Sequence, residues 1–154
     1  MLTVAGLGNR FRGDDGVGLA LVDWLTDCRP AGVVTCYWED ADALTLTYFL
    51  LSLAGPVLLV DSAEMELSPG VGKLMSRAEV LLHEPLATVS SHGFGIATAL
   101  ILADALGFKQ PVWFFGVQPA CFLGETLSIS VQKNWDCLSR DILAVINQLN
   151  GSCP

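Results

Sequence analysis

Short apolar runs alternate along this chain with segments whose apolar residues recur at helical spacing. Strands are predicted at 2–7, 33–38, 57–61 and 112–117, with a shorter edge strand at 72–76. Helices are predicted from about Val17, over 43–54, over 94–106 before Gly107, and as one last helix through 131–149. The stretch that holds both histidines is predicted as a loop. This alternation predicts one domain over 1–154, a three-layer α/β/α sandwich with a mostly parallel central sheet.

The composition excludes several classes of function. Hydrophobic residues make up 52% of the chain, but the apolar runs are too short to span a membrane. The formal net charge is -8 and the eight basic residues are scattered, which argues against a nucleic-acid partner. The beginning of the chain has no secretory pattern, so a cytoplasmic location is expected. Five cysteines without a C-x-x-C pair predict reduced thiols rather than disulfides or a thiolate zinc site.

The glycine-rich stretch GLGNRFRGDDGVG, residues 6–18, follows the first predicted strand. Phe11 stands where a dinucleotide fingerprint needs its third glycine, which argues against nucleotide binding. Asp14 is predicted to cap the following helix, since carboxylates accept hydrogen bonds from the amides that a helix start leaves unpaired. One cap does not need two acids, so Asp15 is the better candidate for a working carboxylate.

Two further polar residues are predicted near the same sheet edge. Asp61 ends an apolar strand, and His92 precedes the predicted third helix. Each has a plain structural alternative, since Asp61 could cap a turn and His92 could be a packing residue. Loops after parallel strands converge at one edge, so Asp15, Asp61 and His92 are predicted to meet there as a metal site. His83 is predicted to lie on the surface, because Pro85 prevents an H-E-x-x-H helix.

The motifs together resemble those of the nickel-iron hydrogenase maturation endopeptidases. The opening motif is Gly6 to Gly18, the D-A/S element is Asp61-Ser62, and the S-H element is Ser91-His92. The late motif is Gly116 to Pro119, followed by G-x-x-L-S at 124–128. Four such elements in this order cover nearly the whole chain and are highly specific as a set.

The resemblance implies a protease that removes the C-terminal extension from the precursor of the hydrogenase large subunit. By the same resemblance, nickel already inserted into that precursor would be the recognition mark, and Asp15, Asp61 and His92 would be the residues that contact it. Two carboxylates and one imidazole should hold free metal weakly, which suits a metal delivered on the substrate. Nickel could then anchor the precursor and polarise the scissile carbonyl or a water, with a carboxylate as general base.

Some positions depart from the family pattern. The family usually has D-G-G-T after the second strand, where this chain has Glu39-Asp40-Ala41-Asp42. Glu39 is the best match for the family acid and the fourth candidate catalytic residue, although Asp40 is an alternative. Two other functions remain open on sequence alone. One is a metal-dependent hydrolase of small molecules, and the other is an escort that holds the precursor without cutting it.

Overall fold

The computed structural model describes residues 1–83 and 93–151. Within them, one sheet has the strand order β2-β1-β3-β5-β4. The strands are β1 (Leu2–Gly8), β2 (Val33–Glu39), β3 (Val57–Ser62), β4 (Gly72–Ser76) and β5 (Val112–Val117). Strand β1 pairs in parallel with β2 and β3, and β3 pairs in parallel with β5. Strand β4 lies antiparallel to β5 at the sheet edge, so the sheet is mostly parallel, as predicted.

Helices cover both faces of this sheet. They are α1 (Val17–Cys28), α2 (Ala43–Ser52), α3 (Arg77–His83), α4 (Gly93–Ala105), α5 (Ile129–Lys133) and α6 (Trp135–Gly151). A short 3-10 turn, Gly13–Gly16, precedes α1. The strand boundaries differ from the predicted ones by at most one residue at either end.

The two cores show why both faces are covered. Val4 packs in the core beneath α1 and α6, whereas the next residue, Ala5, packs in the core beneath α2 and α4. Leu58 and Leu59 divide between the same two cores along β3. Successive side chains on a strand point to opposite faces, so a strand apolar at every position needs helices on both sides. The predicted three-layer α/β/α sandwich is therefore confirmed.

The prediction of a loop after β4 was wrong, because α3 begins there. Ser76 and Glu79 form a capping box: the Ser76 amide donates to Glu79 Oε2 at 2.7 Å, and the Glu79 amide donates to Ser76 Oγ at 3.3 Å. Arg77 holds the helix against α4 through an ion pair with Asp104 at 2.6 Å. The S-x-x-E spacing was present in the sequence and could have identified this helix.

The prediction of one continuous last helix was also wrong. The chain forms α5 and α6, separated at Asn134, whose φ and ψ are -93° and 5°. The Asn134 side-chain amide donates to the carbonyl of Pro69 at 3.2 Å, so this residue also binds the loop before β4. A side chain that hydrogen-bonds elsewhere competes with regular helix geometry, and the sequence does not reveal so distant a partner.

No helix in the described ranges is both long and apolar enough to cross a membrane. Cys28, Cys36, Cys121 and Cys137 are free thiols. Cys153 lies outside the described residues.

Candidate active site

The central strands β1 and β3 end side by side at the carboxyl edge of the sheet. After β1 the chain enters the glycine-rich loop that carries Asp15, and Asp61 is the next-to-last residue of β3. The edges of parallel sheets are where loops and helix starts converge on ligands. The topology thus places the two predicted working aspartates at one edge.

Asp15 and Asp61 lie close together at this edge, and both are buried. Their exposed fractions are only 3% and 4%. Ser62 links them, because its hydroxyl donates to Asp15 Oδ1 at 3.4 Å while its backbone amide donates to Asp61 Oδ1 at 2.7 Å. The two carboxylates therefore lie close together, and the predicted site of Asp15, Asp61 and His92 stays a prediction.

Gly8 makes this close approach possible. It has a φ of +119°, and a Cβ built on it would lie 1.9 Å from the backbone oxygen of Asp15 and 3.2 Å from Asp61 Oδ1. The Gly8 position thus has no room for a side chain. The glycine lets the loop fold back onto the strand end, so that Asp15 reaches Asp61.

The pKa of Asp61 is raised well above its ordinary value of 3.8, first by burial, then by the charge of Asp15. The hydrogen bond from the Ser62 amide opposes this rise but does not cancel it. A raised folded-state pKa means that the folded protein binds the proton more tightly than the unfolded chain. This contribution to stability is present below about pH 3.8 and is lost as pH rises through the folded pKa. At neutral pH the Asp61 carboxyl group therefore lowers stability relative to acid pH, and a divalent cation beside it would relieve that cost.

Asp14 does not cap the helix, contrary to the prediction. Neither the 3-10 turn nor α1 has a side-chain cap. The fully buried Asp14 carboxylate instead accepts hydrogen bonds from the amides of Ala120 at 2.8 Å, Cys121 at 3.1 Å and Ser128 at 2.7 Å. Asp14 thus fastens the loop between β5 and α5 to the glycine-rich loop. Its partners lie more than 100 positions away in the sequence, and no local pattern could identify them.

Glu39 and Asp40 stand beside Gly8 at the end of β2. The Glu39 carboxylate accepts from the Arg10 amide at 3.2 Å and lies 3.9 Å from the Arg10 guanidinium. Asp40 accepts from the Asn9 side chain at 2.9 Å. Both acids therefore anchor the start of the glycine-rich loop, each at a different residue. The catalytic role predicted for Glu39 stays a prediction.

Gln118 organises the loop that follows Asp61, a role that reasoning from the sequence missed. This buried side chain follows β5, and its Oε1 accepts from the amides of Met65 at 2.7 Å and Leu67 at 3.2 Å. Its Nε2 donates to Glu64 Oε1 at 2.8 Å. The G-V-Q-P motif had marked the position, but only the fold shows which backbone groups it serves.

A small recess opens beside Asp61 and is also lined by Gly8, Gly95 and Ile96. The start of α4 thus adjoins the acidic pair. His92, the predicted third ligand, lies outside the described residues, as does the side chain of His83. Among residues 1–83 and 93–151, no three side chains of His, Cys, Asp or Glu group closely enough to hold a metal ion. The described part of the chain therefore supplies a pair of carboxylates.

No protein-family model and no curated protein sequence matches the chain. Solved structures do share its fold. The hydrogenase maturating endopeptidase HybD from Escherichia coli matches with a TM-score of 0.80 and 20% identity, over 96% of this chain and 92% of that one. The [NiFe] hydrogenase maturation protease HybD from Thermococcus kodakarensis matches with a TM-score of 0.71 and 21% identity, over 94% and 97%. The hydrogenase 2 maturation peptidase from a Thaumarchaeota archaeon matches with a TM-score of 0.62 and 26% identity, over 94% and 97%.

These matches extend over nearly the full length of both chains. The chain has the fold of hydrogenase maturation endopeptidases, and the resemblance predicted from its motifs is confirmed.

Proposed function

We propose that this chain is an endopeptidase that removes the C-terminal extension of the nickel-loaded [NiFe] hydrogenase large-subunit precursor. The observation that carries the proposal is the pair of buried carboxylates, Asp15 and Asp61, at the carboxyl edge of a fold shared with hydrogenase maturation endopeptidases. The glycine-rich, D-S and G-V-Q-P motifs all contribute to that edge. Fold, motifs and charge therefore favour the same activity.

The chemistry of the pair suits a metal that arrives on the substrate. Two carboxylates buried against each other repel, and a divalent cation between them relieves the repulsion. Carboxylates alone bind nickel less tightly than sites with more nitrogen or sulfur ligands, so the pair should not retain nickel strongly on its own. A precursor that carries nickel on its own ligands would supply the missing affinity. In this proposal nickel belongs to the substrate.

His92 is proposed as the nitrogen ligand that completes the contact with nickel. It stands three positions before Gly95, which lines the recess beside Asp61. A carboxylate of the pair would take the proton of the attacking water as general base. Glu39 is proposed to assist catalysis. Glutamine at this position can still accept from the Arg10 amide but carries no charge, so Glu39→Gln separates a catalytic role from a structural one.

The processing assay separates this function from the two alternatives. Purified protein is incubated with nickel-loaded and nickel-free precursor, and the masses of the products are measured. We expect loss of the C-terminal extension only in the loaded sample. Binding of loaded precursor without a change in mass would favour the escort. Stoichiometric metal in the purified protein, with equal cutting of unrelated small substrates, would favour the small-molecule hydrolase.

A further inference from the structure

Two large apolar side chains stand exposed on the loops that flank the acidic pair. Phe11, in the glycine-rich loop, is 72% exposed, and Leu123, in the loop after β5, is 83% exposed. Large apolar side chains at such exposure are ordinary when isolated, but these two occupy loops that meet beside a candidate active site.

The two loops are fastened to each other through their backbones. The Gly13 amide donates to the carbonyl of Gly124 at 2.7 Å, and the Asp14 amide donates to the carbonyl of Cys121 at 2.9 Å. A Cβ on Gly13 would lie only 2.6 Å from the Cys121 carbonyl oxygen, so the loops are in tight contact. The carboxylate of Asp14 adds three more hydrogen bonds across the same junction.

Each exposed residue is also fixed within its own loop. The Phe11 amide donates to Asn9 Oδ1 at 2.8 Å, and the Leu123 amide approaches Cys121 Sγ at 3.3 Å. The backbone amide at both positions is therefore already engaged within its own loop. A loop whose backbone is already held needs less ordering on binding, so the contact of its apolar side chains is offset less.

We propose that Phe11 and Leu123 form an apolar contact surface for the polypeptide substrate, next to its metal-bearing part. This inference rests on the proposed function. Phe11 and Asp15 belong to one loop, so a polypeptide anchored by its nickel at Asp15 and Asp61 lies within reach of Phe11. The partner chemistry is an aliphatic or aromatic side chain of the precursor close to its nickel ligands.

The size of the surface favours this occupant over a second copy of the chain. A stable dimer buries about 800 Å² on each partner, whereas one large aromatic side chain buries about 150–250 Å². Phe11 and Leu123 together supply only part of such an interface. They suit a contact that adds to a metal anchor.

The test compares two double variants in the processing assay with nickel-loaded precursor. Phe11→Ser with Leu123→Ser should raise KM about tenfold and leave kcat within about twofold, because it removes binding contacts away from the reacting atoms. The control, Ile101→Ser with Leu106→Ser, changes two apolar residues, one within α4 and one directly after it, that are 58% and 63% exposed, and should leave KM unchanged. Thermal unfolding of both variants checks that they are folded.

Each outcome bears on one claim. An unchanged KM in the Phe11 and Leu123 variant, with processing by the unsubstituted protein intact, overturns this inference alone. If the unsubstituted protein neither binds nor cuts the loaded precursor, the proposed function fails and the inference falls with it. Sedimentation measures the oligomeric state. If the unsubstituted protein is a dimer and the Phe11 and Leu123 variant is a monomer with unchanged KM, the surface binds a second copy of the chain and this inference is overturned.

Discussion

Replacing Asp14 by asparagine tests whether this residue has a structural role, which is to hold the loop between β5 and α5 against the glycine-rich loop. Its Oδ2 accepts from two amides, Ala120 and Cys121, and its Oδ1 accepts from a third, Ser128. Asparagine has one acceptor oxygen and one NH₂ donor. In its better orientation the oxygen keeps the first two amides, and the NH₂ group then faces the Ser128 amide. One hydrogen bond is lost, and its donor remains without an acceptor.

The expected cost follows from these contacts. A hydrogen bond to a charged group contributes about 1.5–3 kcal/mol, and the two that remain weaken when the acceptor becomes neutral. Relief from burying a charge offsets part of this loss. We expect Asp14→Asn to lower the free energy of unfolding by about 2–4 kcal/mol. For a chain of this length that corresponds to a fall in Tm of roughly 5–15 °C.

The assay is chemical denaturation combined with hydrogen exchange at the amides of Ala120, Cys121 and Ser128, which should lose protection. Asp15→Asn is the matched control, because its oxygen can still accept from Ser62 and it removes the charge that opposes Asp61. We expect its stability to stay within about 1 kcal/mol of the starting protein, or to rise. Equal destabilisation by the two variants, or a loss below about 1 kcal/mol for Asp14→Asn, would show that the Asp14 carboxylate does not hold these loops together.

Three further substitutions, at Asp61, Gly8 and Gln118, test the same edge of the sheet. Asp61→Asn removes the carboxyl group whose raised pKa lowers stability at pH 7. Each kcal/mol regained in the free energy of unfolding should raise Tm at pH 7 by about 2–4 °C. Calorimetry against pH should show that this gain vanishes below about pH 3.8. Gly8→Ala should lower the free energy of unfolding by roughly several kcal/mol or prevent folding, since its Cβ would lie 1.9 Å from the backbone oxygen of Asp15. The control Gly107→Ala has a φ of +94° but open space around its Cβ, so denaturant titration should show a loss of only about 1–2 kcal/mol. Gln118→Glu should lower Tm, because it places a second carboxylate beside that of Glu64. Adding Glu64→Gln should restore most of the lost Tm, whereas a further, additive fall would contradict the pairing of these two side chains.

Local patterns predicted the elements of the fold well because strands and helices here depend on neighbours in sequence. The run of β3 is apolar at 57–60 because both faces are buried. Gly107 was predicted to follow the end of the helix, and it does so with a positive φ of 94°. The prediction failed at Asn134, where a contact with Pro69 interrupts a pattern that reads as one helix. It also failed at α3, although the Ser76 and Glu79 capping box was visible in the sequence.

The candidate site divides in the same way. Asp15 and Asp61 could be predicted to lie at one edge, because the carboxyl ends of parallel strands share an edge of the sheet. The work of Asp14 and Gln118 could not, since both bind backbone amides of loops that are remote in sequence. Which backbone amides these side chains bind depends on the path of the loops. A sequence motif can identify the residue but not its hydrogen-bond partner.

The central claim is that Asp61 belongs to the contact with the substrate's nickel. The most direct measurement is the rate at which Asp61→Asn processes the nickel-loaded precursor, followed by mass, beside a thermal unfolding curve of the same preparation. We expect a protein that is at least as stable as the starting one and that leaves the C-terminal extension in place. Processing at the unsubstituted rate by a folded Asp61→Asn protein would contradict it.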